Sequence, residues 1–372
     1  VKKTLTAILA AATTMTMAAA PGQADSAQAS APDDRKAVVQ RHLDELTKLS
    51  QTGAIARVVQ DGRTWTARSG TAVWGKKVPM PVNGHFRIAS VTKAFVAAAV
   101  LRLAGEGKID LNGTVDRYLP GALKDGGKIT VRMLLRHTSG LSDDASNDKY
   151  MSDEGTLKYR YTHVKTDELV KLSDDSPRRF APGAKHSYSN ANYYLLGMLI
   201  EKVTGNPWDQ EAIRSLGLRA TSYPGDKVSL PRPHARGYLW VGGKPLDITR
   251  LNTTAAGAAG GLVSTTADLD RFIDRLLSGK LLKPAQMREL LDVMPAAPGE
   301  EADGDPGPGI FRYATSCGKQ VYGHSGGIAG YVTMVGSTVD RRHRAALNVT
   351  MASPDFNDSR LLMKAFDALF CG

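Results

Sequence analysis

The chain is 372 residues long, 42% hydrophobic and 23% charged, with a formal net charge of +11. This is an ordinary globular composition with room for one large domain or two packed lobes, which excludes a collagen-like or intrinsically disordered chain. Its basic residues are scattered, apart from small clusters such as Arg341-Arg342-His343-Arg344, so the basic, aromatic-rich stripe of a nucleic-acid-binding protein is missing.

The chain starts Val1-Lys2-Lys3, runs through small and apolar residues from Leu5 to Ala20, and then offers small-x-small sites ending at Ala24, Ala29 or Ala31. That order predicts a secretory signal over 1–29, cleaved between about 24 and 31, and hence a secreted protein whose positive charge would attract it to an anionic cell wall. No second long apolar run follows, so no membrane span is expected after cleavage.

Val38, Val39, Leu43, Leu46 and Leu49 recur at helical spacing over 33–50. Two strands, 54–60 and 64–70, are joined around Asp61-Gly62-Arg63, a hairpin signal. Next comes Ser90-Val91-Thr92-Lys93, which opens the apolar run Ala94 to Val100. Residues three apart on a helix share a face, which sets the Lys93 amine beside the Ser90 hydroxyl. Serine is a weak nucleophile until a base lies within hydrogen-bond reach, so the pair nominates an acyl-transfer site. A helix cap beside a solvated lysine would leave the same four-residue trace.

From about 128 to 255 the pattern is mainly helical with long loops. One short helix ends at His137-Thr138-Ser139-Gly140, and a longer one covers 191–204 before Gly205 and Pro207. The helix-ending turn accounts for His137 without a catalytic role. Tyr188-Ser189-Asn190 precedes the longer helix, and alternation along an extended segment sends Tyr188 and Asn190 the same way. Tyr188 is a candidate proton carrier if a cation lowers its pKa, and Asn190 a candidate holder of a substrate amide.

Two further helices are expected over 265–294, then a Pro/Gly-rich loop over 295–309. Strands follow at 310–315, 319–324, 331–338 and 345–351, with an amphipathic helix over 361–370. Strands at both ends of the chain with helices between them predict a mixed α/β (α+β) protein whose antiparallel sheet is completed by distant segments. The corresponding organisation is a sheet lobe from 30–89 with 256–372, a mainly helical inserted lobe over 90–255, and a site between them.

His324-Ser325-Gly326-Gly327 falls on one of the late strands, where glycines permit close approach and a strand edge can align a peptide-like substrate. Gly323-His324-Ser325-Gly326-Gly327 also matches a nucleophile elbow. The rest of an α/β-hydrolase pattern does not follow it, because only His343 lies downstream. The acidic run 300–305 lacks the length and terminal Glu of an EF-hand loop, and no histidine or cysteine cluster suggests a metal. Cys317 and Cys371 permit one disulfide, closing a loop of about fifty residues worth about 3 to 4 kcal/mol.

Ser90-x-x-Lys93, Tyr188-x-Asn190 and His324-x-Gly326, in this order and at these separations, resemble the three-motif signature of the serine penicillin-recognising hydrolases. Among these, the chain is most similar to secreted streptomycete D-alanyl-D-alanine carboxypeptidases. Flanking text extends the likeness over nearly the whole chain, including His137-Thr138-Ser139-Gly140-Leu141 and Ala181-Pro182-Gly183. The resemblance implies a five-stranded antiparallel sheet flanked by helices beside an all-helical lobe, Cys317 paired with Cys371, no cofactor and a monomer. It also implies Ser90 as nucleophile, Lys93 as its partner, Tyr188 as proton shuttle, and Asn190 with His324, Ser325, Gly326 and Gly327 as substrate contacts. The backbone N–H groups of Ser90 and Gly327 would form the oxyanion hole.

Peptidoglycan stem peptides are then the expected substrates and β-lactams the expected inhibitors. A β-lactamase, an esterase or D-aminopeptidase, and a non-catalytic penicillin binder are the alternatives on the same site. Two departures bear on substrate choice. The resembling proteins tend to carry Thr at the positions of Ser325 and Gly327, and a Tyr-Gly-Leu-Gly-Leu-Arg run at 306–312, where this chain has Phe311 next to Arg312. That Arg would bind a terminal carboxylate, and here Arg312 falls on the opposite strand face from Phe311.

Overall fold

The computed structural model describes residues 32–50, 52–214, 216–296, 304–351 and 359–372. The segment expected to be a signal, 1–29, and most of the acidic run 300–305 therefore lie outside the described residues.

Helix α1 (Pro32–Ser50) leads into the hairpin β1 (Gly53–Gln60) and β2 (Arg63–Gly70), with register Gly53↔Gly70 to Gln60↔Arg63. A single 3₁₀ turn, Ala89–Val91, runs directly into α2 (Thr92–Gly105). The helices α3 (Asn190–Thr204) and α4 (Thr266–Leu277) follow among shorter ones. Strands β3 (Asp305–Pro306), β4 (Phe311–Ala314), β5 (Gln320–Ile328), β6 (Tyr331–Ser337) and β7 (His343–Thr350) precede the last helix, α5 (Ser359–Cys371).

The main sheet is antiparallel, with strand order β2-β1-β7-β6-β5-β4-β3. It has seven strands, where the resemblance implied five. The additional edge comes from β3, which pairs Asp305 with Arg312 and Pro306 with Phe311 inside what reads as a loop. A proline cannot donate to a ladder, which suits β3 to the sheet edge and stops further pairing there. Next to the opposite edge strand, β2, β1 joins β7 from Ala54↔Val349 to Gln60↔His343, so the first and last strands of the chain sit side by side.

Helices cover both sheet faces, which explains why the central strands are apolar on both sides. Val39, Leu43 and Leu46 of α1 and Phe366 and Leu369 of α5 bury one face against Ala56, Val58, Met334 and Leu347. On the opposite face Val335 and Ala346 belong to a larger core with α2, α3 and α4. Helix α2 is apolar around its whole circumference and is buried accordingly, with Phe95 stacked on Phe272 of α4 at 3.6 Å between ring centroids. That burial fixes the position of the turn preceding it. Cys317, in the turn between β4 and β5, is bonded to Cys371 at the end of α5.

Candidate active site

Ser90 occupies the 3₁₀ turn rather than the α-helix, directly before Thr92, and Ala89 next to it has φ +49°, in the left-handed region. A non-glycine residue held there stores local strain, a feature that clusters at functional sites. Lys93 lies in the first turn of α2 with no solvent exposure. Its Nζ is 3.1 Å from Ser90 Oγ, 2.8 Å from Asn190 Oδ1 and 2.7 Å from the Ala259 carbonyl oxygen. Burial pushes the Lys93 pKa down to about 7, although the Asp143 charge acts the other way.

These three contacts decide what a neutral Lys93 does. An uncharged amine has two N–H donors and one lone pair, and the oxygens of Asn190 and Ala259 can take only donors. The lone pair is left for the Ser90 hydroxyl.

Tyr188 borders the cleft, and Lys93 Nζ lies 4.7 Å from its ring centroid. The ring stacks on His137 at 4.4 Å between centroids, inclined by 24°. His137 does terminate a helix, with φ +55°, as expected, and it also supports this second motif. Its Nδ1 accepts from the Ser189 N–H at 3.1 Å and lies 3.1 Å from Asn192 Nδ2, so its other nitrogen carries the proton. Complete burial and the Lys93 charge hold this imidazole neutral.

The segment 188–191 has a further anchor that the sequence reading passed over. Asp143 accepts from Ser189 Oγ at 2.7 Å, from the Ala191 N–H at 3.0 Å and from the Asn190 N–H. A carboxylate at the first turn of α3 satisfies amides that have no partner within the helix. Tyr188 and Asn190, expected from alternation to point the same way, are positioned from outside by His137 beside the ring and Asp143 at the helix start, and both lie near Lys93 Nζ without lining the same cavity.

The third side is β5. It pairs with β4 only as far as Gly323↔Phe311, and from His324 to Ile328 it pairs with β6 alone. A Cβ at Gly326 would lie 2.5 Å from the Ile88 carbonyl oxygen and 2.7 Å from the Ser90 nitrogen, so glycine is required for strand and turn to meet. A Cβ at Gly327 would touch nothing within 4 Å. His324 is buried and its Nδ1 contacts the Ser325 carbonyl oxygen, while the Phe311 ring meets it edge-on at 5.1 Å. Burial first and the Lys93 charge second push the His324 pKa down to about 3, so it is neutral at any physiological pH.

A cavity of about 350 Å³ is bounded by Ser90, Tyr188, Phe311, His324, Ser325 and Gly327, among others. Arg312 is absent from its lining. It pairs instead with Asp305, Nη2 to Oδ2 at 2.5 Å and Nε to Oδ2 at 3.0 Å, on the other side of the strand. The structure therefore brings Ser90, Lys93, Tyr188, Asn190, His324, Ser325, Gly326 and Gly327 to one place and keeps Arg312 away. Among the described residues, no group of three or more His, Cys, Asp or Glu side chains is placed to hold a metal. No described helix is long and apolar enough to cross a membrane.

A buried lysine bonded to a serine at a helix start, faced by a Tyr-x-Asn segment and a glycine-containing strand edge, defines a serine acyl-transfer site on a helix-flanked antiparallel sheet. The chain belongs to the beta-lactamase family, whose profile matches residues 39–370. A D-stereospecific amidohydrolase from Streptomyces sp. superposes with a TM-score of 0.82 at 34% identity, over 91% of this chain and 99% of that one. Penicillin-binding protein 4* of Bacillus subtilis is 27% identical over 82% of this chain and 68% of its own length. The D-alanyl-D-alanine-carboxypeptidase/endopeptidase AmpH of Escherichia coli is 26% identical over 71% of this chain and 67% of its own length.

Proposed function

We propose that this serine hydrolase cleaves the amide bond on the carbonyl side of a D-amino acid through an acyl-enzyme on Ser90. The observation that carries the reading is the Lys93 amine, fully buried with a depressed pKa and hydrogen-bonded to Ser90 Oγ. Ser90 Oγ attacks the carbonyl carbon as its proton passes to Lys93. The resulting oxyanion lies against the backbone N–H groups of Ser90 and Gly327. Tyr188 then gives its proton to the departing nitrogen, the C–N bond breaks, and the Lys93 ammonium restores the Tyr188 proton. Water repeats the sequence on the ester and frees Ser90. Asn190, held against Lys93 by its Oδ1, presents its amide to the acyl part of the substrate.

Amides are favoured over free C-terminal carboxylates because Phe311 and a neutral His324 occupy the leaving-group side, with Arg312 engaged by Asp305. D-configuration is supported by the similarity to the D-stereospecific amidohydrolase. A second reading, a D,D-carboxypeptidase acting on peptidoglycan stem peptides and acylated by β-lactams, is favoured by the likeness to penicillin-binding protein 4* and AmpH. Rates for a diacyl-D-Ala-D-Ala peptide and its C-terminal amide separate the two. Equal or faster cleavage of the amide is expected, and a strong preference for the free carboxylate would establish the carboxypeptidase instead. Substitution of Ser90 by Ala abolishes both activities in either case.

A further inference from the structure

A second cavity of about 290 Å³ opens on the other side of Ser90, with Met151, Asn190, Tyr194, Ala256 and Ile328 in its wall. Ser90 and Gly327 border both cavities. They are the two residues whose backbone N–H groups are proposed to hold the oxyanion, so a substrate carbonyl seated there sends its two substituents into different cavities. Tyr188, which must reach the departing nitrogen, borders the first cavity, and Asn190 borders the second. The second is therefore the acyl side.

Its size and chemistry restrict what fills it. An alanyl methyl is about as large as one water, which takes about 30 Å³ in the liquid, and would leave most of the space to solvent. The wall is built from Met, Tyr, Ile and Ala carbons with the amides of Asn147 and Asn190, and includes no Arg, Lys, Asp or Glu among the described residues. Two of the wall residues, Asn147 and Met151, are the two ends of a π-helical turn, Asn147–Met151. Such turns are rare and recur at functional sites, where the wider winding re-aims side chains. Methionine is adaptable enough to close over ligands of varied shape.

We infer that this π-helical turn is the specificity element of the enzyme, and that with Met151 as its gauge the second cavity selects substrates with a bulky, uncharged acyl side chain, of phenylalanyl or leucyl size, over alanyl ones. The inference rests on the proposed acyl-enzyme at Ser90, and aryl esters keep the two separable because their leaving group is constant while the acyl residue varies.

The experiment compares kcat/KM for p-nitrophenyl esters of N-acetylated D-Ala, D-Leu and D-Phe, with the matching amides measured on the same preparation. The D-Phe to D-Ala ratio is expected to be at least about 10, since one buried methylene alone is worth about tenfold or more in discrimination. Met151→Trp fills the cavity and should reduce that ratio at least tenfold, whereas Met151→Ala widens it and should move the preference toward D-Trp. A wild-type ratio near or below one, or a ratio unchanged by both substitutions, overturns the inference. Ester selectivity without any amide cleavage would sustain the cavity assignment and remove the amidohydrolase reading, and ester turnover persisting in Ser90→Ala would remove both.

Discussion

Asp143 shows how much of the site's chemistry is set by a residue that lines neither cavity. Its carboxylate holds three consecutive residues around Asn190, and its charge is the one that opposes the burial-driven fall in the Lys93 pKa. Lys93 must be neutral to take the Ser90 proton, so kcat/KM should rise with pH through about 7. Removing the negative charge lowers the Lys93 pKa further. Asp143→Asn is therefore expected to move the acidic limb to lower pH while reducing the plateau at least about tenfold through loss of alignment. An unshifted limb would assign Asp143 to folding alone.

His324 makes the complementary prediction. Because it is already neutral, the acidic limb of the wild-type profile should show the Lys93 inflection alone, with no second one from an imidazole near pH 6.5. A second inflection there that disappears in His324→Gln would place a charged imidazole in the reaction. The Ser90–Lys93 pairing was legible in the sequence because it depends on spacing within one turn. The supports His137 and Asp143 were not, since they reach residues 189–192 from about fifty positions away, through contacts that only the packed fold creates.

The meeting of the 3₁₀ turn with β5 governs function at the level of elements. Gly326 and Gly327 are neighbours in sequence, yet a Cβ at the first would collide with the Ile88 and Ser90 backbone while one at the second meets open space. Gly326→Ala should thus cost about 1 to 3 kcal/mol in stability, as overpacking does, and remove at least about a hundredfold in acylation rate by displacing an oxyanion donor. Gly327→Ala should leave the melting temperature nearly unchanged. Equal melting temperatures and equal acylation rates for the two variants would show that strand and turn do not meet as described.

Strands were legible in the sequence where a hairpin signal or a run of apolar and β-branched residues was present, as in the segments that became β1, β2, β6 and β7. Strand β3 was not, because two residues that include a proline carry no periodicity. The edge that removes Arg312 from the cleft is created by that short strand, which pairs Asp305 with Arg312. Substrate preference was consequently the least legible part of the site.

Over the whole molecule, the sheet is closed by segments nearly three hundred residues apart, with Ala54 opposite Val349. Pairing of such distant strands is slow, because loop closure precedes any gain from contact. The Cys317–Cys371 bond spans 54 residues within the last third of the chain and ties α5 to the β4–β5 turn. Loop-entropy reasoning assigns it about 4 kcal/mol. The Cys317→Ser/Cys371→Ser variant should therefore melt at least about 5 °C lower than the oxidised protein, as followed by calorimetry. An unchanged melting temperature would mean that α5 is held by packing against β7 and α1 alone.

Substrate choice and mechanism both turn on one covalent bond, between Ser90 Oγ and an acyl group. Peptide mapping by mass spectrometry, after acid quenching of the enzyme with an N-acetyl-D-phenylalanine aryl ester, locates that bond directly. A single acyl adduct is expected on the peptide containing Ser90, and none in Ser90→Ala. An adduct on another residue, or continued turnover of the ester by Ser90→Ala, would contradict it.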